Sequence, residues 1–552
     1  MQTKFAVLFC AAGEGGGMED KMGEIQLLDC TLRDGGYVND WEFGHDNLVS
    51  IFERVVGANV DIVEIGFLDD RREFDINRSI MPDTDCVEKI YSGLDRKQAM
   101  VVGMIDYGTC SIENISPCDE SFLDGIRVIF KKHLRNEAMA FCARLKELGY
   151  KVFSQLVSIT SYDDEELLDL IRLANEVKPY GVSIVDTYGL LHQDSLLHYF
   201  TILNENLEPD IGLGYHSHNN FQLAYANCIE MLSHPVDRLV IVDATIYGMG
   251  KSAGNAPIEL LAMHLNEHYG KEYQISQFLE AIDANIMNIY HISPWGYNMF
   301  YYVAASNDCH PNYVSYLMDK RTLSVKSINE ILQNLEGEKK LLYDAEYIEE
   351  LYMQYQKIDV DDSLDMQQLT DKFSGKKILV LGPGPNLLKE KGIVKDFIVK
   401  ENPIIVSINF IPEGIKPDYV FLSNSKRYVQ LATALSKSDN DFEVIATSNV
   451  TKASGKFNYT LKYSDLLDFK ADIADNSIAM LLKVLVSTNG ASAYLAGFDG
   501  YVGDKRNYIY ANMEYEFGRE KADRHNAYMK KVLKKLREDI EIVFLTDSLY
   551  ES

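Results

Sequence analysis

His216 and His218, two residues apart in "GYHSHNN", are the side chains best placed to do chemistry together. The residues around them read as a strand, where positions i and i+2 project from one face, so the two imidazoles can share one divalent cation. Two histidines in a polar pore can also simply hydrogen-bond, and an anionic third ligand decides between the readings. Asp34, in "LLDCTLRDGGYVND", can be that ligand if its strand and theirs open on the same barrel mouth. Two imidazoles and one carboxylate leave coordination positions for substrate oxygens, as a catalytic ion requires. Arg33 is either a surface cation or faces an anion, because burying it for stability alone is costly. The second reading puts its guanidinium, beside the metal, on the negative charge that develops on a carbonyl oxygen as an enolate forms.

Such residues need a scaffold that gathers distant parts of the chain. From residue 24 to about 270, short β-branched runs alternate with amphipathic stretches, the signature of βα units around a parallel sheet. The runs start at Ile25, Val60, Ala99, Gly125, Lys151, Gly181, Ile211 and Arg238, and these eight predict a TIM (β/α)8 barrel over residues 24–270. An open doubly wound sheet is the alternative; polar residues recurring at the C-terminal ends of strands favour the barrel. Residues 271–368 read as a helical extension and linker, punctuated by Pro294 and Pro311. A second domain, residues 373–552, opens with "KILVLGPGPN" and continues through "PIIVSINF", "PDYVFLS", "FEVIATS", "ASAYLAGFD" and "IEIVFLT", predicting a Rossmann-like α/β fold. Composition changes at the same place: all eight cysteines, both tryptophans and eleven of twelve histidines precede residue 311, with only His525 beyond.

Of 552 residues, 83 are acidic and 54 basic, a formal charge of −29. That field argues against nucleic acid and anionic membranes as partners, although local arginines or a metal can still hold a small anion. The cysteines show no CxxC and no framework spacing, as expected of reduced thiols. No apolar run reaches the roughly 18 to 20 residues of a membrane span. "FAVLFCAA", residues 5–12, resembles a signal-peptide core but has no convincing cleavage site. Residues 1–23 are expected to be a disordered leader, unless translation starts at Met18 or Met22. A cytoplasmic homo-oligomer is the expectation.

"LLDCTLRDGG", "GYHSHNNFQLAYAN" and "DATIYGMGKSAGNAPIELL" together resemble the DRE-TIM metallolyase superfamily, whose catalytic barrels carry a TLRD segment, an HxH pair and a glycine turn ending in GN. The resemblance covers residues 24 to 270. It implies that Asp34, His216 and His218 bind Mn2+ or Mg2+, that Arg33 stabilises an enolate, and that a carbon–carbon bond is made or broken beside a 2-oxo acid or thioester. "GMGKSAGN" lacks both the cysteine of hydroxymethylglutaryl-CoA lyases and the GERxGN form of isopropylmalate and homocitrate synthases. It is most similar to the 4-hydroxy-2-oxovalerate aldolases, an HMGL-like group that yields pyruvate and an aldehyde. Where those aldolases carry a proton-handling histidine, this chain has Tyr37, a phenol that is a poor base at neutral pH unless its pKa falls. It is a relay, a hydrogen-bond donor or pocket wall, and it leaves the substrate open.

Glu64 in "VEIGF" and Asp186 and Thr187 in "VDTYG" stand at strand ends, and Asn255 closes the glycine turn. The resemblance implies substrate contacts for Glu64, Thr187 and Asn255; interior hydrogen bonding is the alternative for the first two, and bracing of the loop, as in the aldolases, for Asn255, which related lyases use near the metal. The aromatic stretch 295–314 caps the mouth or an interface, or is core. In the second domain, "LGPGPN" is a weak nucleotide signal, because Pro383 and Pro385 lack the N–H groups of a phosphate cradle. That domain is loosely similar to bacterial sialyltransferase-like domains of surface-polysaccharide biosynthesis. The similarity implies a nucleotide-sugar partner, with Asn386, Asn409, Asn424, Arg427 and Asp499 as contacts. The expected protein is thus a two-module enzyme, a metal-dependent aldolase or lyase acting on a 2-oxo acid and an aldehyde. A Claisen-type synthase using acyl-CoA, and an inactive barrel serving as scaffold for the second domain, are the alternatives.

Overall fold

The computed structural model describes residues 23–551 except 321–322, 357–359, 436–440, 452–456, 469–474, 504–505, 511–512 and 514–521. The leader expected at residues 1–23 lies, but for Gly23, outside the described residues. The chain divides into two compact units, one through Pro311 and one from Asn312 onward.

In the first unit the apolar runs form strands β1 (Ile25–Asp29), β2 (Ile62–Leu68), a two-residue β3 (Ile80–Met81), β4 (Met100–Asp106), β5 (Gly125–Ile129), β6 (Lys151–Leu156), β7 (Gly181–Val185), β8 (Gly212–His216) and β9 (Val240–Ala244). Without β3, which only lengthens the edge of β2, eight parallel strands close into a barrel, because β1 pairs with β9 on one side and β2 on the other. The TIM barrel is therefore present, and the open sheet is not. Helices cover the outside, from His45–Gly57 after β1 to Ile258–Tyr269 after β9. Between β4 and β5 only the 3-10 turns Ile112–Asn114 and Cys118–Glu120 occur. That connection contains Gly108 and Pro117 and no amphipathic run to make a helix worth forming.

Two-residue alternation along the strands fills the barrel in layers. Leu28, Ile62, Phe153 and Ile241 form an apolar plug with Val102. Two positions further along the same strands stand Cys30, Glu64, Gln155 and Asp243, all buried, joined by Arg127 from β5. The pore thus turns from apolar to charged towards the C-terminal strand ends. Gly214 on β8 leaves room for this layer, since a Cβ there would meet Ser183 Oγ at 2.2 Å. His216 follows two residues later, one level nearer the mouth.

The second unit contains the helices Val325–Leu332, Ala345–Gln356 and Ser363–Phe373, then a seven-stranded all-parallel sheet. Its strands are β10 (Lys377–Leu381), β11 (Ile404–Ile408), β12 (Tyr419–Leu422), β13 (Glu443–Thr447), β14 (Tyr459–Leu461), β15 (Ser492–Ala496) and β16 (Glu541–Phe544), in the order β14-β13-β12-β11-β10-β15-β16. The order reverses between β10 and β15, the place where open α/β sheets part their loops and admit ligands. No helix among the described residues is long and apolar enough to cross a membrane, and the seven described cysteines are free thiols.

Candidate functional site

The charged residues of the opening motif fold back into the barrel mouth as soon as β1 ends. Asp34 is 1% exposed, and its backbone N–H returns to the Cys30 carbonyl (2.8 Å), turning the chain over the pore. The glycine pair that follows is a matter of space, because a Cβ on Gly36 would meet the Trp41 indole at 1.9 Å. That indole donates from Nε1 to the Arg33 carbonyl (2.7 Å), so the close approach fixes the arginine's backbone.

Asp34, His216 and His218 come together with ligand atoms within 4.8 Å of one another. Each imidazole is held by its Nδ1. His216 Nδ1–H donates to Asp243 Oδ2 (3.0 Å), and His218 Nδ1–H donates to the backbone carbonyl of Asp186 (2.9 Å). A carbonyl and an ionised carboxylate only accept, so each proton sits on Nδ1 and each Nε2 keeps its lone pair. Both Nε2 atoms are buried without a hydrogen-bond partner, and they face Asp34 at 3.4 and 3.6 Å. Two orphaned nitrogens converging on a carboxylate could hold a divalent ion, and the carbonyl and carboxylate behind them are the kind of support that metal-binding histidines use. Asn255 donates from Nδ2 to Asp34 Oδ1 (2.9 Å), and its own Oδ1 is buried and unpartnered beside them.

Charge supports the same reading. Burial would raise the Asp34 carboxyl, but Arg33 and His218 hold it well below the usual carboxylate range. Burial lowers the His218 pKa. For His216 burial acts the same way and is outweighed by the bond to Asp243 and the nearby Asp34 carboxylate, which raise it, so a proton competes with a cation there. The buried layer carries Arg33 and Arg127 against Asp34, Glu64 and Asp243, two positive charges against three negative, a deficit of one that a cation reverses. Cys30, His216 and Asp243 also lie within ligand distance. That set is a poor site, because burial keeps the Cys30 thiol protonated and Asp243 already occupies the histidine's Nδ1.

Arg33 donates from Nε to Glu64 Oε2 (2.8 Å) and from Nη1 to Asp34, while its Nη2 donates to no described residue. Glu64 is therefore beneath the arginine and also receives Arg127 Nη1 (3.0 Å). Thr187 Oγ1 accepts from the Ser158 backbone (2.7 Å), and the Asp186 carboxylate accepts from Leu190 and Leu191 (2.7 and 3.2 Å), so these two brace loops. Tyr37 stands at the rim, 42% exposed, its ring edge-on to Trp41 at 4.7 Å. Burial of its hydroxyl and the Asp34 charge push its pKa up to about 12, which makes it a donor at neutral pH. Within the aromatic stretch, Trp295 donates to the Tyr247 carbonyl (2.9 Å) and packs on Gly254, bracing the glycine turn.

Arg127 and Asp243 escaped the sequence reading. Arg127 crosses the pore to Glu64, to Gln155 Oε1 (3.0 Å) and to Asp243, and so ties the support of Arg33 to the support of His216. The signal was present in "GIRVIF" and "VIVDAT": a lone charge inside a run otherwise buried on both faces of a parallel sheet. In the second unit, Asn386 and Asp499 meet at the switch point, where Asp499 Oδ2 accepts from the Asn386 backbone (2.8 Å). They line a cleft of about 390 Å³ with Asp547, Ser548 and Glu551. The other three candidates are engaged locally: Asn409 donates to Ser477 Oγ (2.8 Å), Asn424 accepts from the Arg427 backbone (3.1 Å), and Arg427 donates to the Met513 carbonyl (2.5 Å).

Residues 24–284 match the HMGL-like family model. Oxaloacetate decarboxylase of Mycobacterium tuberculosis is 24% identical over 288 residues, 49% of this chain and 80% of that protein. 4-Hydroxy-2-oxovalerate aldolase 2 of Salinispora arenicola is 26% identical over 264 residues, 47% of this chain and 74% of that protein. 2-Isopropylmalate synthase of Sulfolobus acidocaldarius is 25% identical over 261 residues, 46% of this chain and 66% of that protein.

Proposed function

Taking residues 24–284 as an HMGL-like domain, we propose that the barrel is a divalent-metal-dependent aldolase making or breaking a carbon–carbon bond between a 2-oxo acid, pyruvate in the simplest case, and an aldehyde. The observation that carries the reading is the convergence of two orphaned imidazole Nε2 atoms on Asp34. Mn2+ or Mg2+ bound there supplies a Lewis acid for the keto oxygen of the oxo acid. The chain's own contribution centres on Arg33. Its free Nη2 donates to the oxygen that gains charge as the carbon–carbon bond breaks, and one such preorganised donor is worth about 3 kcal/mol in a water-poor site. Glu64 and Arg127 hold that guanidinium in place before substrate arrives, so no reorganisation is needed during the step. Tyr37 donates a hydrogen bond to the substrate hydroxyl from the rim, and its high pKa leaves proton removal to another group or to water.

Replacement of His216 and His218 by alanine tests the centre: bound Mn2+ per chain should fall from one to near zero, and retained stoichiometry would sink the assignment. The similarity to a 2-isopropylmalate synthase keeps a Claisen-type reaction with acyl-CoA as the second reading. Strict dependence of turnover on acetyl-CoA would favour it. For the second domain, a cytosolic sugar-nucleotide site is proposed at the β10/β15 cleft, where the unpartnered Asp499 Oδ1 offers an acceptor to ribose or sugar hydroxyls. Native mass spectrometry with sugar nucleotides tests this, and no adduct with any of them would remove it.

A further inference from the structure

The turn "GMGKSAGN" carries a lysine that the reaction above does not use. The backbone N–H of Lys251 donates to Asp34 Oδ1 (3.0 Å), which fixes its Cα beside the centre. The turn can come this close because Gly250 has no Cβ; one there would meet Asn255 Nδ2 at 2.2 Å and Asp34 Oδ1 at 2.7 Å. From that anchor the side chain runs outward. Its Nζ lies 5.3 Å from the Tyr37 ring centroid and 6.0 Å from that of Tyr188. Asn220 braces this arrangement, donating to the Tyr188 carbonyl (2.7 Å) and accepting from the Ala253 backbone (3.1 Å), so one side chain ties the tyrosine loop to the lysine turn.

Among the described residues no carboxylate lies within 4.0 Å of Lys251 Nζ, and the ammonium makes no hydrogen bond; two aromatic faces are its neighbours. In a chain with 83 acidic residues, a half-buried cation with no carboxylate at contact distance, on which Asp34 acts only from further off, is a conspicuous omission. A cation–π contact contributes less than a hydrogen-bonded anion, so the ammonium has capacity left for a ligand. Its position also says which part of a ligand. Asp34 and His216 are 1% and 3% exposed, whereas Tyr37 beside Nζ is 42% exposed, so the lysine lies on the solvent side of the reacting centre.

We propose that Lys251 determines specificity by binding a carboxylate or phosphate carried by the aldehyde half of the substrate, with Tyr37 and Tyr188 as the walls of that subsite. The inference rests on the aldolase reading, which places the oxo acid over Asp34 and the imidazoles and leaves the outer position to the aldehyde. Its chemistry is an anionic aldehyde, such as an oxidised or phosphorylated sugar fragment.

The test pairs charged with neutral aldehydes, glyceraldehyde 3-phosphate with glyceraldehyde and succinic semialdehyde with butanal, each condensed with pyruvate by the full chain loaded with Mn2+. The wild type should prefer the charged member of at least one pair. In Lys251→Met the charged-to-neutral ratio of kcat/KM should fall about 10- to 100-fold, mostly through KM, as for loss of one charge-assisted contact, and Lys251→Arg should keep most of it. An unchanged ratio in Lys251→Met, which is also the result if the lysine holds the oxo acid's own carboxylate, would overturn the proposal. A readout without turnover separates this from the aldolase reading: saturation-transfer NMR with glycerol 3-phosphate and glycerol. Weaker binding of glycerol 3-phosphate in Lys251→Met supports the subsite even if no aldehyde reacts, and equal binding in both proteins rejects it even if pyruvate is enolised. Which anion survives in the charged pairs tells carboxylate from phosphate.

Discussion

Arg127→Met removes one guanidinium from the floor of the site and should be among the most damaging substitutions in the barrel. The residue is 1% exposed and donates to Glu64, Gln155 and Asp243, so the change leaves two buried carboxylates facing each other across the pore with only Arg33 nearby. The local balance goes from two positive against three negative to one against three. Breaking a buried pair by deleting one partner costs about 3–5 kcal/mol, because the remaining charge is left without solvent or counter-charge. At roughly 2–4 °C per kcal/mol for a domain of this size, the barrel's melting transition in metal-free buffer should drop by about 6–20 °C. Circular dichroism on the full chain in the presence of a chelator reads this directly. A triple variant, Arg127→Met with Glu64→Gln and Asp243→Asn, removes the stranded charges as well and should recover much of the loss. A fall smaller than about 3 °C in the single variant, or a triple variant no better than the single, would refute the view of this layer as one electrostatic unit.

Asp243→Asn tests the histidine geometry separately. An amide can donate to His216 Nδ1, which moves the ring proton to Nε2 and blocks the ligand position; Mn2+ affinity measured by calorimetry should fall about 10- to 100-fold, and an unchanged Kd would contradict the tautomer assignment. Asp29 gives a pH dependence. Burial pushes its carboxyl up to about 7, above the unfolded value near 4, so the folded state holds the proton more tightly and loses stability as pH rises between the two. Relative to the wild type, Asp29→Asn should gain about 2 kcal/mol between pH 5.5 and 7 and little beyond pH 8; parallel stability curves over that range would show that the carboxyl titrates normally.

Much of this architecture is legible in the sequence. The strands of the barrel announce themselves because parallel strands are covered on both faces, so "IQLLDCT" or "VDIVEIGF" stands out as a nearly unbroken apolar run. The cluster of Asp34, His216 and His218 was legible for a local reason, the i, i+2 spacing of the two histidines, and for a topological one, since Asp34 follows a strand of the same barrel. What tunes those ligands was not. Asp243 finds His216 from the neighbouring strand β9, and Arg127 reaches across the pore from β5; which facing pairs meet depends on barrel stagger, and no spacing in one segment encodes that. Glu64 was legible as a strand-end acid, open to substrate contact or interior hydrogen bonding, but its partner was not: in the structure it accepts from Arg33 Nε. Lys251 stood in plain view inside "GMGKSAGN", and only the fold reveals that its ammonium meets two aromatic rings and no acid.

Proton exchange at the methyl group of pyruvate bears most directly on the barrel's chemistry. In deuterium oxide with Mn2+ and no thioester present, the full chain should incorporate deuterium at that carbon, as followed by NMR. Arg33→Gln should slow the exchange by about 100- to 1,000-fold, the loss expected for one donor to developing charge. Absence of exchange in a protein shown to carry one Mn2+ per chain would contradict the enolate chemistry assigned to Arg33 and the Asp34–His216–His218 centre.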